Sequence, residues 1–311
     1  MKLRAVRSTV LAALLGAASW QCSPPFVQPW QLTNFRVLGV RVEPPEPARG
    51  ATITVSLATA DVRQRDVQVL WVLCSAPRSG APGGASPNCR PVTAPGLPVP
   101  DTRTTVMATV PVTGGGLDAG GHDAIEFFGF ACAGGTFGFP DGGTTPTCEG
   151  TDAVGWAFTR TVRVRAATAL DPPNQNPMIS EVRFGLAGAT QAVVPGGSIP
   201  AVPVCTDTSR RSACPKYQFQ VAFDAASREM FHSEDINDGG VSVRPEHLVA
   251  GYVVDRGTLD GAFRADTDAM PVSLMDNDFR APATPGDVNV FVYAADGRGG
   301  FDWTKRTIRV Q

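Results

Sequence analysis

The chain has 311 residues, which is enough for two domains of ordinary size. Its formal net charge is −2, from 27 basic and 29 acidic side chains, so we expect neither a nucleic-acid-binding surface nor an acidic tail. Glycine (33) and proline (27) are frequent, while the apolar fraction of 43% is sufficient for a core. This combination indicates many turns between short strands, which is typical of an all-β protein.

The first 22 residues have the pattern of an export signal. Lys2, Arg4 and Arg7 form a positive N-terminal region, and residues 10–18 form an apolar stretch that is too short to cross a membrane. No other stretch reaches spanning length. We therefore predict that residues 1–22 are a signal peptide.

Cys22 ends this signal, and the stretch resembles a bacterial lipoprotein signal. The resemblance implies that Cys22 becomes an acylated N-terminus, which would make the protein an outer membrane lipoprotein at the periplasmic face or the cell surface. The alternative is ordinary cleavage after Ser19, with Ala17 and Ser19 as the small pair. Residues 23–33 contain three prolines and no strand pattern, so we expect a tether there.

A first β-sandwich is predicted over residues 34–166. Ile53, Val55 and Leu57 alternate with polar residues, as in a half-buried strand. Trp71 is expected to fill the core between two sheets rather than to stack on a ligand. The last two predicted strands form a closing hairpin. The predicted strands are 35–42, 51–58, 67–74, 104–112, 125–132 and 154–165.

A second sandwich is predicted over residues 178–311, after a linker at 167–177 rich in proline and asparagine. Residues 34–42 align without gaps to 176–184, and the final strands also correspond, at a period of about 140 residues. This indicates a duplicated fold. Its predicted strands are 178–186, 217–223, 248–254, 270–275 and a final hairpin over 288–310.

Six cysteines lie in the exported part of the chain, where an oxidising compartment favours disulfides. Cys132 and Cys148 fall at the same end of two antiparallel neighbours, whereas Cys74 and Cys132 fall at opposite ends if their strands are antiparallel. Among the many possible pairings we favour Cys74–Cys89, Cys132–Cys148 and Cys205–Cys214.

The first strand Val-Arg-Val, a proline- and glycine-containing first turn and the final hairpin Tyr-Ala-Ala-Asp-Gly-Arg-Gly-Gly at 293–300 carry a family resemblance. The chain resembles bacterial two-domain immunoglobulin-like (Ig/PKD-type) cell-surface lipoproteins. The resemblance implies display or binding, with an unknown protein or glycan partner and a membrane contact through the lipid. It supplies no catalytic residues. Loops 75–103, 113–124 and 231–245 are the candidate recognition segments, since rigid scaffolds present binding loops.

No catalytic residue, cofactor or metal ligand is predicted. The chain has three histidines, His122, His232 and His247, and it lacks the sequence motifs of common hydrolases and phosphate-binding loops. Calcium is the leading metal alternative, through acidic turns at 235–238, 266–268 and 276–278 and through the linker.

Two other functions remain open at this point. A secreted hydrolase, or its accessory domain, would gather His122 or His232 with a carboxylate and a serine in one cleft. A periplasmic assembly factor would expose an unpaired strand edge.

Overall fold

The protein is described here by a computed structural model, which covers residues 27–75, 89–93, 101–112, 116–117, 123–140, 145–169, 171–197, 199–206, 214–234, 241–266 and 275–311. Almost all regular structure in these ranges is β, with a 3-10 helix at Ala225–Ser227. Within the same ranges, no helix is long and apolar enough to cross a bilayer.

Ten strands precede the linker within the described residues. They are β1 (Arg36–Glu43), β2 (Thr52–Ala60), β3 (Val67–Cys74), β4 (Cys89–Pro91), β5 (Thr105–Thr109), β6 (Gly116–Leu117), β7 (Asp123–Ala133), β8 (Thr136–Gly138), β9 (Thr147–Glu149) and β10 (Val154–Arg163).

Twelve strands follow it. They are β11 (Ile179–Leu186), β12 (Gln191–Ala192), β13 (Ala201–Val202), β14 (Tyr217–Phe223), β15 (Met230–Glu234), β16 (Val241–Pro245), β17 (Leu248–Val254), β18 (Thr258–Leu259), β19 (Phe263–Ala265), β20 (Met275–Arg280), β21 (Gly286–Asp296) and β22 (Phe301–Val310).

The first sandwich packs a sheet of order β1-β2-β5 against a sheet of order β10-β7-β3-β4. In immunoglobulin nomenclature these are strands A-B-E and G-F-C-C′. Trp71 lies at the centre of the core, fully buried and edge-on to Phe127 and Phe158. Its indole N–H donates to the carbonyl of Arg103 at 2.8 Å, so the one polar atom of the ring is satisfied. The predicted core role of Trp71 is confirmed.

The second sandwich packs β12-β11-β14-β20-β18 against β13-β22-β21-β17-β19. The parallel pairing of β13 with β22 completes the immunoglobulin-like arrangement, and the other pairs in both sheets are antiparallel. Its core holds the aromatic rings of Phe184, Phe219 and Phe279 in mutual contact. The predicted fold class, an all-β protein of immunoglobulin-like sandwiches, therefore agrees with the structure.

Three disulfides lie within the sandwiches. Cys74 pairs with Cys89 across β3 and β4, Cys132 joins β7 to Cys148 in β9, and Cys205 joins Cys214 ahead of β14. These are the pairs expected from the sequence. Each closes a short loop, with sequence separations of 15, 16 and 9 residues. A loop of about 15 residues contributes roughly 3 kcal/mol by restricting the unfolded chain.

The observed strands differ from the predicted ones mainly where strands are short. The segment predicted as an irregular loop at 75–103 contains β4, which pairs with β3. A strand predicted at 270–275 is displaced to β20, which begins at Met275, and residues 270–274 lie outside the described ranges. Short edge strands escape prediction because two or three residues are too few to show an alternating pattern.

The predicted tether at 23–33 is described from residue 27 onward, and this part is folded against the second sandwich. The N–H of Leu32 donates to the carbonyl of Val254 at 2.8 Å, and the N–H of Val254 donates to the carbonyl of Trp30 at 2.9 Å. Residues 30–32 thus extend the sheet at the end of β17. The Trp30 side chain is buried in the core of the second sandwich. Residues 30–32 do not act as a free tether, because an apolar core binds them.

The two sandwiches also meet through an apolar patch. Leu32 and Ala60 pack with Val253 and Phe291, which point away from the core of the second sandwich. Further along β1, a Cβ atom added at Gly39 would lie 2.5 Å from the ring of Phe301. Glycine is therefore required at position 39 for this close approach.

We expect Trp30→Ala to destabilise the protein by about 3–5 kcal/mol, because it empties a buried site in the second sandwich. Urea unfolding of the purified protein measures this change. Trp156→Ala is the matched control, since Trp156 is 41% exposed and should cost much less. Equal midpoints for the two variants would contradict the docking of Trp30 in this core.

Candidate functional site

A two-stranded ribbon, formed by β15 and β16, projects from the second sandwich within the predicted segment 231–245. His232 pairs with Val243 in its register. Because side chains alternate along a strand, one face carries Met230, His232, Val241 and Val243. Met230, Val241 and Val243 are 52%, 62% and 56% exposed. This face of the ribbon therefore presents three exposed apolar side chains to solvent, beside His232, which bonds to Asp171 of the linker.

On the opposite face of the ribbon, Phe231 contacts Arg244 across the ribbon and Arg298 of the body through cation–π contacts. The guanidinium carbon of Arg298 lies 5.6 Å from the centroid of the Phe231 ring, and that of Arg244 lies 5.7 Å from it. Such contacts contribute about 1 kcal/mol at partly exposed sites. Phe231 is therefore held between two cations, and Arg298 belongs to the final hairpin, outside the ribbon.

The base of the ribbon is a cluster of carboxylates around Arg298. Arg298 Nη1 lies 3.3 Å from Glu229 Oε2 and 3.3 Å from Glu246 Oε1, while its Nη2 lies 3.1 Å from Glu46 Oε2. Asp296 is the fourth acidic member. We call Glu46, Glu229, Glu246 and Asp296 the carboxylate cluster. It joins the first sandwich, the ribbon base and the final hairpin.

The turn of the final hairpin positions Arg298. Asp296 Oδ1 accepts the N–H groups of Arg298 at 2.8 Å and of Gly300 at 2.7 Å, which closes the turn. Gly299 has φ +105°, where glycine is favoured, and its carbonyl accepts a hydrogen bond from Arg160 of the first sandwich. The glycine-rich turn seen in the sequence thus carries the arginine that connects both sandwiches.

The linker lies between the sandwiches, and both sides bind it. Asn174 N–H donates to Glu46 Oε2 at 3.0 Å, and Gln175 N–H lies 3.3 Å from Glu229 Oε2. Asn176 donates from Nδ2 to the carbonyl of Val42 at 2.8 Å and accepts the N–H of Phe301 at 2.9 Å. The linker therefore contributes hydrogen bonds to the carboxylate cluster and fixes the spacing of the sandwiches.

Glu246 is the unusual member of the carboxylate cluster. Its side chain is fully buried, and neither carboxylate oxygen has the geometry of a hydrogen bond, although Arg298 is close. Burial raises the pKa of Glu246 to about 8, with Asp296 adding to the rise and Arg298 opposing it. Burial also raises the pKa of Glu229 above its ordinary value. Glu246 is therefore mostly protonated at neutral pH.

The acidic turns suggested for calcium bind protein groups where they are described. Asp171 bonds to His232, and Asp278 pairs with Lys216 at 2.5 Å. The described residues contain no group of three side chains arranged to hold a metal ion. Residues 235–238 and Asp268 lie outside the described ranges.

The histidines lie in different places. His232 Nδ1 is 2.5 Å from Asp171 Oδ1, and His247 Nδ1 is 3.3 Å from Asp266 Oδ1. His122 lies outside the described ranges. Within those ranges the His232 ring bonds to Asp171.

Other predicted sites lie wholly or partly outside the described residues. Cys22 is one, together with most of the candidate loops 75–103 and 113–124 and the tip of the ribbon at 235–240. The carboxylate cluster was not predicted, because its members are far apart in the sequence. The signal that could have suggested its place is the pair Glu229 and Glu246, which directly flanks the two strands of the ribbon.

The strand order thus defines the class of this protein, a pair of immunoglobulin-like sandwiches with a projecting ribbon. No protein-family profile matches the chain. No curated protein matches it in sequence. A solved structure of the D00–D0 domain of intimin is 8% identical, covering 88% of this chain and 100% of that chain, with a TM-score of 0.25. A TM-score this low does not establish a shared fold. The immunoglobulin-like arrangement of this chain is defined by its strand pairing.

We expect the stability of the protein to fall by roughly 3 kcal/mol as pH rises from 5 to 8.5. Glu246 binds its proton more tightly folded than unfolded, so its contribution is present at low pH and is lost as pH rises towards about 8. Carboxylates with a lowered pKa, such as Asp101 bonded to Arg103, lose their contribution only below about pH 4. Urea unfolding across this range measures the change.

Glu246→Gln isolates the responsible group, because glutamine has the shape of the protonated acid and does not titrate. Its stability should vary less with pH than that of the wild type, and it should be the more stable protein at pH 8.5. Glu149→Gln, at an exposed position, should follow the wild type. If the free energy of unfolding changed with pH in the same way for the wild type and for Glu246→Gln, Glu246 would not be the source of the pH dependence.

Proposed function

We propose that this protein is exported to the cell envelope, where it has a recognition, adhesion or spacer role without catalysis, and that the ribbon is its binding surface. The observation that carries the proposal is the exposed apolar face of Met230, Val241 and Val243 on a ribbon whose other face is fixed to a rigid body. Exposed apolar surface of this kind is typical of interaction sites.

Export is supported by two independent features. The first 22 residues have the charge and length pattern of a signal peptide. Six cysteines of the remaining chain form three disulfides, which are typical of proteins in oxidising compartments.

A protein partner is favoured over a glycan at the ribbon, because the surface is apolar and offers a strand edge. The N–H of His232 donates to Asp171 at 3.1 Å, so this edge of β15 is occupied by the linker. Within the described residues β16 pairs only with β15. An edge strand with exposed side chains can accept an extended segment of another chain. The same edge supports a periplasmic assembly factor as the second candidate function.

The double variant Val241→Ser, Val243→Ser tests the binding role. We expect it to bind purified envelopes at least tenfold more weakly than the wild type, because it removes two exposed apolar contacts of the ribbon. The readout is a quantitative sedimentation assay in which every labelled protein also carries Cys22→Ser, so that no lipid contributes to envelope binding. The matched control is Val112→Ser, Val194→Ser, since these valines are also exposed and lie elsewhere.

The two double variants should have similar urea midpoints, so that a difference in binding is not a difference in folding. Equal binding by the ribbon variant and the wild type would exclude the ribbon as the surface. An assembly factor is distinguished by its effect on a client: the ribbon variant would then leave a client protein misassembled while envelope binding stayed unchanged.

Lipid anchoring at Cys22 is part of the proposal. We expect mass spectrometry to find an acylated N-terminus at Cys22, and Cys22→Ser to move the protein from the membrane fraction to the soluble periplasm or medium. The control is Cys205→Ser, Cys214→Ser, which removes a disulfide and leaves the signal unaltered. An unmodified N-terminus at Trp20 would replace lipidation with ordinary cleavage after Ser19.

A further inference from the structure

Both strands of the ribbon leave the second sandwich at buried carboxylates. Glu229 directly precedes β15 and Glu246 directly follows β16. The N–H of Glu246 donates to the carbonyl of Glu229 at 2.8 Å, which closes the base of the ribbon. Both side chains then converge on Arg298 at 3.3 Å. Because the chain is fixed at these two residues, their charge acts directly on the ribbon.

Building on the proposed binding role, we propose that the carboxylate cluster regulates the ribbon: the ribbon is held to the body while Glu246 is protonated and loosens when Glu246 ionises. A partner that binds the ribbon would then meet a fixed surface at acidic to neutral pH and a more mobile surface in alkaline medium.

The contacts of the three glutamates explain why Glu246 is the member whose ionisation disturbs the cluster most. Glu46 is compensated by Arg165 at 3.5 Å and by the N–H of Asn174, besides Arg298. Glu229 has the N–H of Gln175 as well as Arg298. Among the described residues, the Glu246 carboxylate has an ion pair with Arg298 alone, and it shares that cation with the other two carboxylates. Ionised Glu246 would therefore add a third buried negative charge to a single guanidinium.

Other charged groups near Glu246 are already engaged. Asp296 faces it from the final hairpin, where Oδ2 accepts no hydrogen bond, and so adds repulsion. Arg228 donates through Nε to the backbone carbonyl of Glu246 at 3.3 Å and lies 3.5 Å from Asp266. His247, the next residue, contacts Asp266 as well. The contacts of Arg228 are therefore to the backbone of Glu246 and to Asp266 and not to the Glu246 carboxylate.

The guanidinium of Arg298 also transmits the ionisation of Glu246 to the ribbon. Arg298 holds Phe231 through a cation–π contact while it neutralises the carboxylates. A Glu246 that ionises favours any movement that brings water to its oxygens, because a buried unpaired charge is costly. Opening at the base would separate Phe231 from Arg298. By contrast, the apolar patch between the sandwiches contains no titrating group in contact with Glu246.

The pH window follows from the two environments of Glu246. Its pKa is about 8 in the closed base and returns towards its ordinary value near 4.5 when the base opens. Opening is therefore favoured progressively between these values, and the effect levels off above pH 8.

Backbone hydrogen exchange tests the inference with the mature chain. Wild type and Glu246→Gln are compared at the same pH, which cancels the intrinsic effect of pH on exchange. We expect the ratio of their ribbon exchange rates, wild type over variant, to rise at least tenfold between pH 5.5 and 8.5. Segments of β7 and β10 should show a constant ratio, and Glu149→Gln should match the wild type at both pH values.

A ratio that stays constant for the ribbon would overturn the inference, as would an equal rise in β7 and β10. If Glu246→Gln does not fold, the wild type alone is decisive. Its ribbon exchange relative to β7 must then increase with pH, and no increase rejects the inference. The measurement requires no partner, so its failure is distinguishable from failure of the binding role, which the envelope assay with the valine variants tests separately.

Discussion

The ion pairs of Arg298 connect segments that are far apart in the chain, since Arg298 and Glu46 are separated by 252 residues. A buried arginine with several carboxylates is not a strong source of stability, because removing the charges from water costs about as much as their attraction returns. Removing one partner is much more costly, because it leaves a charge buried without compensation. The Arg298 contacts therefore fix geometry. They specify how the first sandwich, the ribbon and the final hairpin are placed relative to one another.

The segment ahead of the first sandwich also constrains how the two sandwiches are placed, because it pairs with the second sandwich. Residues 30–32 pair with the end of β17 before the chain enters the first sandwich, so the core of the second sandwich includes a side chain from the segment ahead of the first sandwich. The apolar patch around Phe291 then covers part of the outer face of that sheet. Domains that share only a linker move freely by default. Here the chain crosses between the sandwiches twice, at residues 30–32 and at the linker, and both crossings form hydrogen bonds that restrict the movement of the sandwiches.

The sequence predicted those parts of the fold that depend on local patterns. Strands β2 and β14 alternate between apolar and polar residues in their sequences, and the disulfide partners lie within 16 residues of each other in the chain. The prediction of a tether was wrong at Trp30, because a single tryptophan among prolines forms no periodic pattern that would indicate its burial in a distant core. Glu246 was missed for a related reason. Its unusual environment is created by Arg298 and Asp296, about 50 residues away, and burial of a carboxylate is a property of packing that no local pattern shows.

The disulfides act within single sandwiches, whereas non-covalent contacts hold the two sandwiches together. Each of the three disulfides closes a loop within its own sandwich, two in the first and one in the second, and none of them joins the two sandwiches. Besides the Arg298 contacts, the arrangement of the sandwiches depends on the paired backbone at Val254 and on the apolar patch, and neither of these contains a carboxylate. The carboxylate cluster lies at the remaining contact, at the base of the ribbon. If the charge of this cluster changes, the contacts at Val254 and in the apolar patch do not change with it, so the proposed loosening of the ribbon differs from unfolding of the whole protein.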